Sequence, residues 1–179
     1  GMVTLSEVSA YCAAYAKLIR KIDITDLVKA DVLVPVAEII YKAMGNSEYN
    51  THFNVEKIDR PFYGVYYGQS ALNMEPDKIV YLTNDTIENS KVYYYEDTNN
   101  NKVYTTDKLK NLDKYDIYLG GASSFIEITN PNNKTGRELV LFRDSFGSSL
   151  TPLLIEAYSK ITLIDVRYIN SDTYLNMID

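Results

Sequence analysis

The run Glu138–Ile169, ELVLFRDSFGSSLTPLLIEAYSKITLIDVRYI, decides how this chain folds. Glu138-Leu-Val-Leu-Phe142 is a short apolar, β-branched and aromatic run of the kind that forms a buried strand. It ends in a polar, glycine-containing turn, Arg143 to Ser149. Beyond the turn, Leu150, Leu153, Leu154 and Ala157 share one helical face, which predicts a helix over 148–158. A second strand is predicted over Ile161–Ile169. Together these make a strand-turn-helix-strand unit of about 30 residues, whose right-handed crossover sets 161–169 beside 139–142 and parallel to it.

In an open α/β sheet, ligands bind at the carboxyl ends of strands, where the next helix offers unpaired N–H groups. Asp144-Ser145-Phe146-Gly147 puts the Ser145 hydroxyl there, with backbone donors able to hold an oxyanion and Gly147 letting a substrate approach closely. The other reading is that Asp144 or Ser145 only caps the helix. The residues alone leave both open.

With 179 residues the chain is long enough for one domain with a real core and too short for two comfortable ones, so a single domain over 1–179 is expected. Hydrophobic residues at 46% and charged ones at 23% fall in the globular range, which excludes a disordered or fibrous chain. A net charge of −6 without a basic stripe argues against nucleic acid as a partner. No apolar run approaches the ~18 residues of a membrane span, and the N-terminus lacks a signal-peptide pattern. Gly1 ahead of Met2 reads as an expression scar, which leaves open an export signal removed with the natural start. Cys12, the single cysteine, reads as a small core hydrophobe. Tyrosine is the compositional outlier, 17 against 5 Phe and no Trp. Tyrosine suits carbohydrate- or protein-contacting surfaces and is also a strong strand former.

In chain order, Thr4-Leu-Ser-Glu7 is a capping box that starts a helix over about 5–21. Asp31-Val-Leu-Val-Pro35 leads into a second helix with Val36, Ile39, Ile40 and Ala43 on its apolar face and Gly45 past its end. Asn46–Asp59 reads as a polar loop carrying His52, the chain's one histidine. Pro61–Ser70 reads as an irregular segment or small hairpin, and Ile79–Leu82 as a strand. Val92–Tyr95 and Val103–Thr106, joined by Asp97–Asn101, read as an antiparallel hairpin inserted into the α/β core. Tyr115–Leu119 is a strand or its approach, and Phe125–Thr129 a strand. No His/Cys grouping or calcium-loop spacing signals a metal, and no cofactor is expected.

The 139–169 block resembles the nucleophile block of the DHHW family, SGNH-hydrolase-like proteins related to the alginate O-acetylation proteins. That block runs hydrophobic strand, D-S-[FY], small residues, P-x-L, then I-x-x-I-D-x-R-Y. Phe62-Tyr63-Gly64 with Tyr67-Gly68-Gln69-Ser70 is similar to the family's F-Y-G-x-x-Y-x-K-S segment, and Tyr118-Leu-Gly-Gly121 with Ile126-Glu-Ile128 to its L-G-G-N segment and following strand. The resemblance implies a three-layer, SGNH-hydrolase-like (flavodoxin-like) α/β fold with a mainly parallel sheet, and a further strand beyond Asp179. It also implies carbohydrate O-acetyl ester hydrolysis or transfer at the cell envelope or outside the cell, on an acetylated polysaccharide.

The family's catalytic set is incomplete here. Its Asp and His stand ahead of the helix that precedes the F-Y-G segment, at Asp31-Val32-Leu33-Val34 by spacing. The aspartate remains, while Val32 and Leu33 occupy the histidine positions. The family's asparagine is Ala122. The resemblance thus yields Ser145, Asp144 and Asp31 as catalytic candidates, with His52 as a substitute base or a solvated loop residue. Gly147, Gly120, Gly121 and Tyr67 are the oxyanion and binding candidates. Asp165 and Arg167 read as surface charges on one face of the last strand. A non-catalytic binding or scaffold module, and a flavodoxin-like domain taking a phosphate-bearing ligand at DSFGSS, are the alternatives.

Overall fold

The computed structural model describes residues 30–46, 49, 52–64 and 75–178, with Ala30, Asp31 and Val32 in backbone only. The helix expected over 5–21, Cys12 and Tyr67 lie outside the described residues.

Helix α1 spans Ala30–Ala43 with Pro35 inside it. Its buried face is Ala37 and Tyr41, with Leu33, Val34 and Ile40 packed against the same core. This face is turned from the expected set of Val36, Ile39 and Ala43, because the helix starts ahead of Pro35 and seats on the large Tyr41 ring. Tyr41 donates from its hydroxyl to the Leu153 carbonyl at 2.7 Å. The end is a Schellman motif. Gly45 takes φ 70°, its N–H bonds the Lys42 carbonyl, and the Asn46 N–H reaches back to Tyr41 at 2.9 Å.

Among the described residues the strands form two sheets. The smaller pairs β1 (Asn54–Phe62) with β2 (Asp77–Thr83), antiparallel and with a register shift between Lys57 and Pro61. A loop was expected over most of β1. The strand is exposed along nearly its whole length, so it carries none of the apolar alternation that marks a strand in sequence.

The larger sheet contains β3 (Lys91–Tyr94), β4 (Phe125–Thr129), β5 (Glu138–Phe142) and β6 (Lys160–Ile164), in the order β3-β4-β6-β5. The expected β5/β6 neighbours are present and parallel, in register from Glu138↔Lys160 to Phe142↔Ile164. The sheet is mixed rather than mainly parallel, since β4 runs antiparallel to both β3 and β6. Only the β5–β6 link carries a helical crossover, and parallel pairing needs one. The expected hairpin is also replaced. β3 pairs with β4 through Val92↔Ile128 and Tyr94↔Ile126, while Tyr104 makes a single bridge to Tyr118. Val92 and Tyr94 point inward, into the same core that buries Val103.

Short helix α2 (Asp85–Asn89) is capped by Asn84, and the Tyr115–Leu119 run is a 3-10 turn over Lys114–Ile117 with Asp113 capping the Tyr115 N–H. The predicted 148–158 helix is helix α3 (Ser145–Leu150) running into a 3-10 segment, Thr151–Ala157. Leu153, Leu154 and Ile155 are all buried there, which the tighter three-residue turn allows on a segment walled in on every side. β6 stops at Ile164 instead of Ile169, and α4 (Ser171–Leu175) follows. Among the described residues no helix is long and apolar enough to cross a membrane.

Candidate functional site

The β5–α3 turn is built by capping. β5 pairs through Phe142, and the Arg143 N–H still bonds the Ile164 carbonyl at 2.9 Å before the chain leaves the sheet. Asp144 is extended at the N-cap, and its Oδ1 accepts from the Phe146 N–H at 3.0 Å. The capping role weighed for Asp144 is therefore the one its side chain takes here. Ser145 is the first residue of α3 and is exposed. Among the described residues its Oγ makes no hydrogen bond. Beside it lies an open cleft of about 510 Å³ with Leu141, Phe142, Leu150 and Val166 as apolar walls and Arg143, Asp144, Gly147 and Arg167 as its polar and backbone lining. The Tyr174 ring of α4 meets Phe142 edge-on at 5.7 Å.

Gly147 has a structural reason to be glycine: a Cβ there would lie 2.6 Å from the Arg143 Cβ. Gly120 and Gly121, at φ 69° and 84°, form the turn after Tyr118. The Gly120 carbonyl accepts from Lys108 Nζ at 2.6 Å, and a Cβ on Gly121 would come within 2.7 Å of the Asp116 Cγ. The residues that follow them reach the Ser145 side, through the Ser123 carbonyl. His52 is exposed and precedes β1. It is not among the residues lining the cleft beside Ser145. Asp31 falls in the first turn of α1.

The structure adds residues that the sequence left unmarked. Arg143 is buried, its side chain 2% exposed. Its Nη1 donates to Ser148 Oγ at 2.9 Å and its Nη2 to the Ser123 carbonyl at 3.0 Å. Nη1 is also 3.9 Å from Asp165 Oδ2. Asp165 is fully buried, not a surface charge: β6 ends at Ile164 and the chain bends, so Arg167 folds back instead of alternating along a strand. Arg167 gives Asp165 its backbone N–H, its Nε at 2.9 Å and its Nη2 at 2.6 Å. Those bonds, first the Arg167 side chain's, hold the Asp165 carboxyl below the ordinary value against the opposing effect of burial. Burial lowers the Arg143 guanidinium's pKa, and the nearby Asp165 charge partly offsets that. The legible signal was an aspartate directly after the buried run Ile161–Ile164, three of whose four residues are apolar.

A third carboxylate closes the same end of the sheet. Glu96, just past β3, accepts from Ser123 Oγ and from the Ser124 N–H. Burial pushes its pKa up, but the hydrogen bonds from Ser123 and Ser124 together outweigh that and leave it below the ordinary value. Among the described residues no group of three or more His, Cys, Asp or Glu gathers to hold a metal.

Solved structures share this fold. A DHHW family protein from Eubacterium siraeum is 20% identical with a TM-score of 0.64, covering 83% of this chain and 52% of that one. Bacillus cereus PatB1 carrying a sulfonyl adduct is 16% identical with a TM-score of 0.57, covering 83% and 53%. A second structure of Bacillus cereus PatB1 is 14% identical with a TM-score of 0.57, covering 82% and 55%. The chain spans about half the length of these structures, and at such identities the likeness is one of fold. No curated protein matches the chain. The DHHW protein family model matches residues 36–164, well over half of the sequence and inclusive of the whole β5–α3–β6 unit, so the chain belongs to the DHHW family.

Proposed function

We propose that this chain is a single SGNH-hydrolase-type domain that binds O-acetyl esters of a carbohydrate at the cell envelope through the Ser145 turn, and that it turns them over slowly. The observation that carries the reading is the exposed Ser145 at the first position of α3, just past the carboxyl end of β5, between Asp144 and Gly147, which line the cleft. Membership in the DHHW family and the fold shared with PatB1 support it. In acyl transfer the Ser145 oxygen would attack the acetyl carbonyl carbon, its proton passing to a base and the sugar oxygen leaving. Val32 and Leu33 cannot take that proton, and the Ala122 side chain has no donor for the oxyanion. Loss of a positioned base costs about 10²–10⁴ in rate.

A second reading, a non-catalytic binding module, is favoured by the lack of any side chain hydrogen-bonded to Ser145 Oγ among the described residues. A sulfonyl fluoride separates the two, because a nucleophilic oxygen displaces its fluoride and keeps the sulfonyl group. The expected outcome is slow labelling at Ser145 by mass spectrometry, absent in Ser145→Ala, with p-nitrophenyl acetate hydrolysis near the buffer rate. No labelling at Ser145 would leave the binding module standing.

A further inference from the structure

Arg143 is costly where it sits. A buried guanidinium needs its charge compensated and every donor accepted, and a well-packed apolar side chain usually serves stability as well or better. Arg143 has neither in full. Its Nε, buried, finds no acceptor among the described residues, and its countercharge Asp165 is engaged more closely by Arg167, at 2.6 Å against 3.9 Å. Local violations of this kind concentrate where a residue serves a site rather than stability.

What Arg143 touches is the frame of the Ser145 turn. Its Nη1 holds Ser148 Oγ and lies 3.4 Å from the Asp144 carbonyl, which itself accepts the Gly147 N–H. Its Nη2 is tied to Ser123, the residue that Glu96 also grips. Its stem lies against Gly147. The residues on both sides of Ser145 are thus bonded to one side chain anchored in the ends of β4, β5 and β6.

We propose that Arg143 is the positioning residue of Ser145: by bonding Ser148, the Asp144 carbonyl and Ser123 at once, it fixes the first turn of α3 and with it the place of the exposed Ser145 hydroxyl at the end of β5. The assignment rests on the reading of Ser145 as the reactive hydroxyl, and one measurement below is independent of that reading. Asp165 acts one step behind, holding the Arg143 charge while Arg167 orients the carboxylate.

The test uses the full chain carrying Arg143→Met, Arg143→Lys and Ser148→Ala, with Tyr104→Phe as a destabilised control whose lost bond, to the Leu82 carbonyl, lies on β2. The rate of Ser145 labelling by a sulfonyl fluoride, per folded molecule, is read beside hydrogen exchange of the 144–150 segment. Arg143→Met is expected to slow labelling by about tenfold or more, since small misplacements of a reacting group carry such losses. It is also expected to speed exchange in 144–150. Arg143→Lys should recover part of both effects, and Ser148→Ala should show a smaller change in the same direction. Tyr104→Phe should lower the melting temperature and change neither. Wild-type labelling and wild-type exchange in Arg143→Met would overturn the proposal, as would an unaffected Ser148→Ala if Arg143→Met fails to fold. Should wild-type Ser145 itself resist labelling, the nucleophile reading falls, and the exchange of 144–150 still decides whether Arg143 positions the turn.

Discussion

Gly147 rests on the Arg143 side chain so closely that a Cβ at position 147 would stand 2.6 Å from the Arg143 Cβ and 3.3 Å from its Cγ. Real Cβ atoms do not approach that near, so Gly147→Ala must displace either the helix or the arginine. Two effects compete. Alanine favours a helix over glycine by about 1 kcal/mol, while overpacking a buried contact costs about 1–3 kcal/mol. The clash should win, because Arg143 is held at its far end by Ser148 and Ser123 and cannot swing away. Urea denaturation should show Gly147→Ala net destabilised, and a variant as stable as wild type would show that the arginine moves freely.

Tyr104 and Tyr118 pin the small sheet to the rest of the chain. The Tyr104 hydroxyl donates to the Leu82 carbonyl at 2.6 Å and the Tyr118 hydroxyl to the Val80 carbonyl at 2.7 Å, both on β2. The rings meet in a row with Tyr81 and Tyr115, Tyr104 against Tyr118 edge-on and the outer pairs tilted. Burial raises the pKa of both hydroxyls. Tyr104→Phe and Tyr118→Phe keep the rings and remove one bond each, so each should cost about 1 kcal/mol. Hydrogen exchange should rise in 77–83 and stay level in β4 and β6. Uniform loss of protection across both sheets would mean that the tyrosines hold the whole core instead.

The tyrosine excess was legible in the sequence, and its use was not. Composition marks tyrosine as a surface or strand residue, whereas Tyr41, Tyr94 and Tyr118 are buried with their hydroxyls on distant carbonyls. The β5–α3–β6 unit was readable because a local apolar run, a capping aspartate and a second apolar run lie in order within it. The mixed sheet was not, because β3 pairs with β4 across a long connection, and pairing between distant segments leaves no mark on either strand alone. The site divides in the same way. Ser145 and its Asp144 cap are local, so their place at the end of β5 was readable. Arg143, Asp165 and Glu96 meet only through the sheet's topology, and a charge beside a turn reads in sequence as solvated.

The Asp165 carboxyl lies below the ordinary carboxylate range chiefly because of its hydrogen bonds from Arg167. A group whose pKa is depressed by folding contributes stability that is present above its unfolded value, near pH 4, and lost as pH falls through the folded value. The wild type should therefore lose stability on acidification below about pH 4. Asp165→Asn leaves the buried Arg143 charge uncompensated and should cost about 3 kcal/mol at pH 7. Its unfolding free energy should then fall less steeply with acid than the wild type's. Denaturant titrations from pH 7 to pH 3 read both slopes, and parallel curves would show that Asp165 titrates alike in the folded and unfolded chain.

His52 precedes β1 and stays outside the lining of the Ser145 cleft. A general base must come within about 2.6–3.2 Å of the proton it takes, directly or through one water. Ser145 sits at the other sheet's carboxyl edge, with Asp144 spent on capping Phe146. Whatever p-nitrophenyl acetate turnover the chain retains should then persist unchanged in His52→Ala. Turnover lost in Ser145→Ala alone would mean an unassisted hydroxyl. Rapid hydrolysis abolished by Ser145→Ala and equally by His52→Ala would make His52 the base.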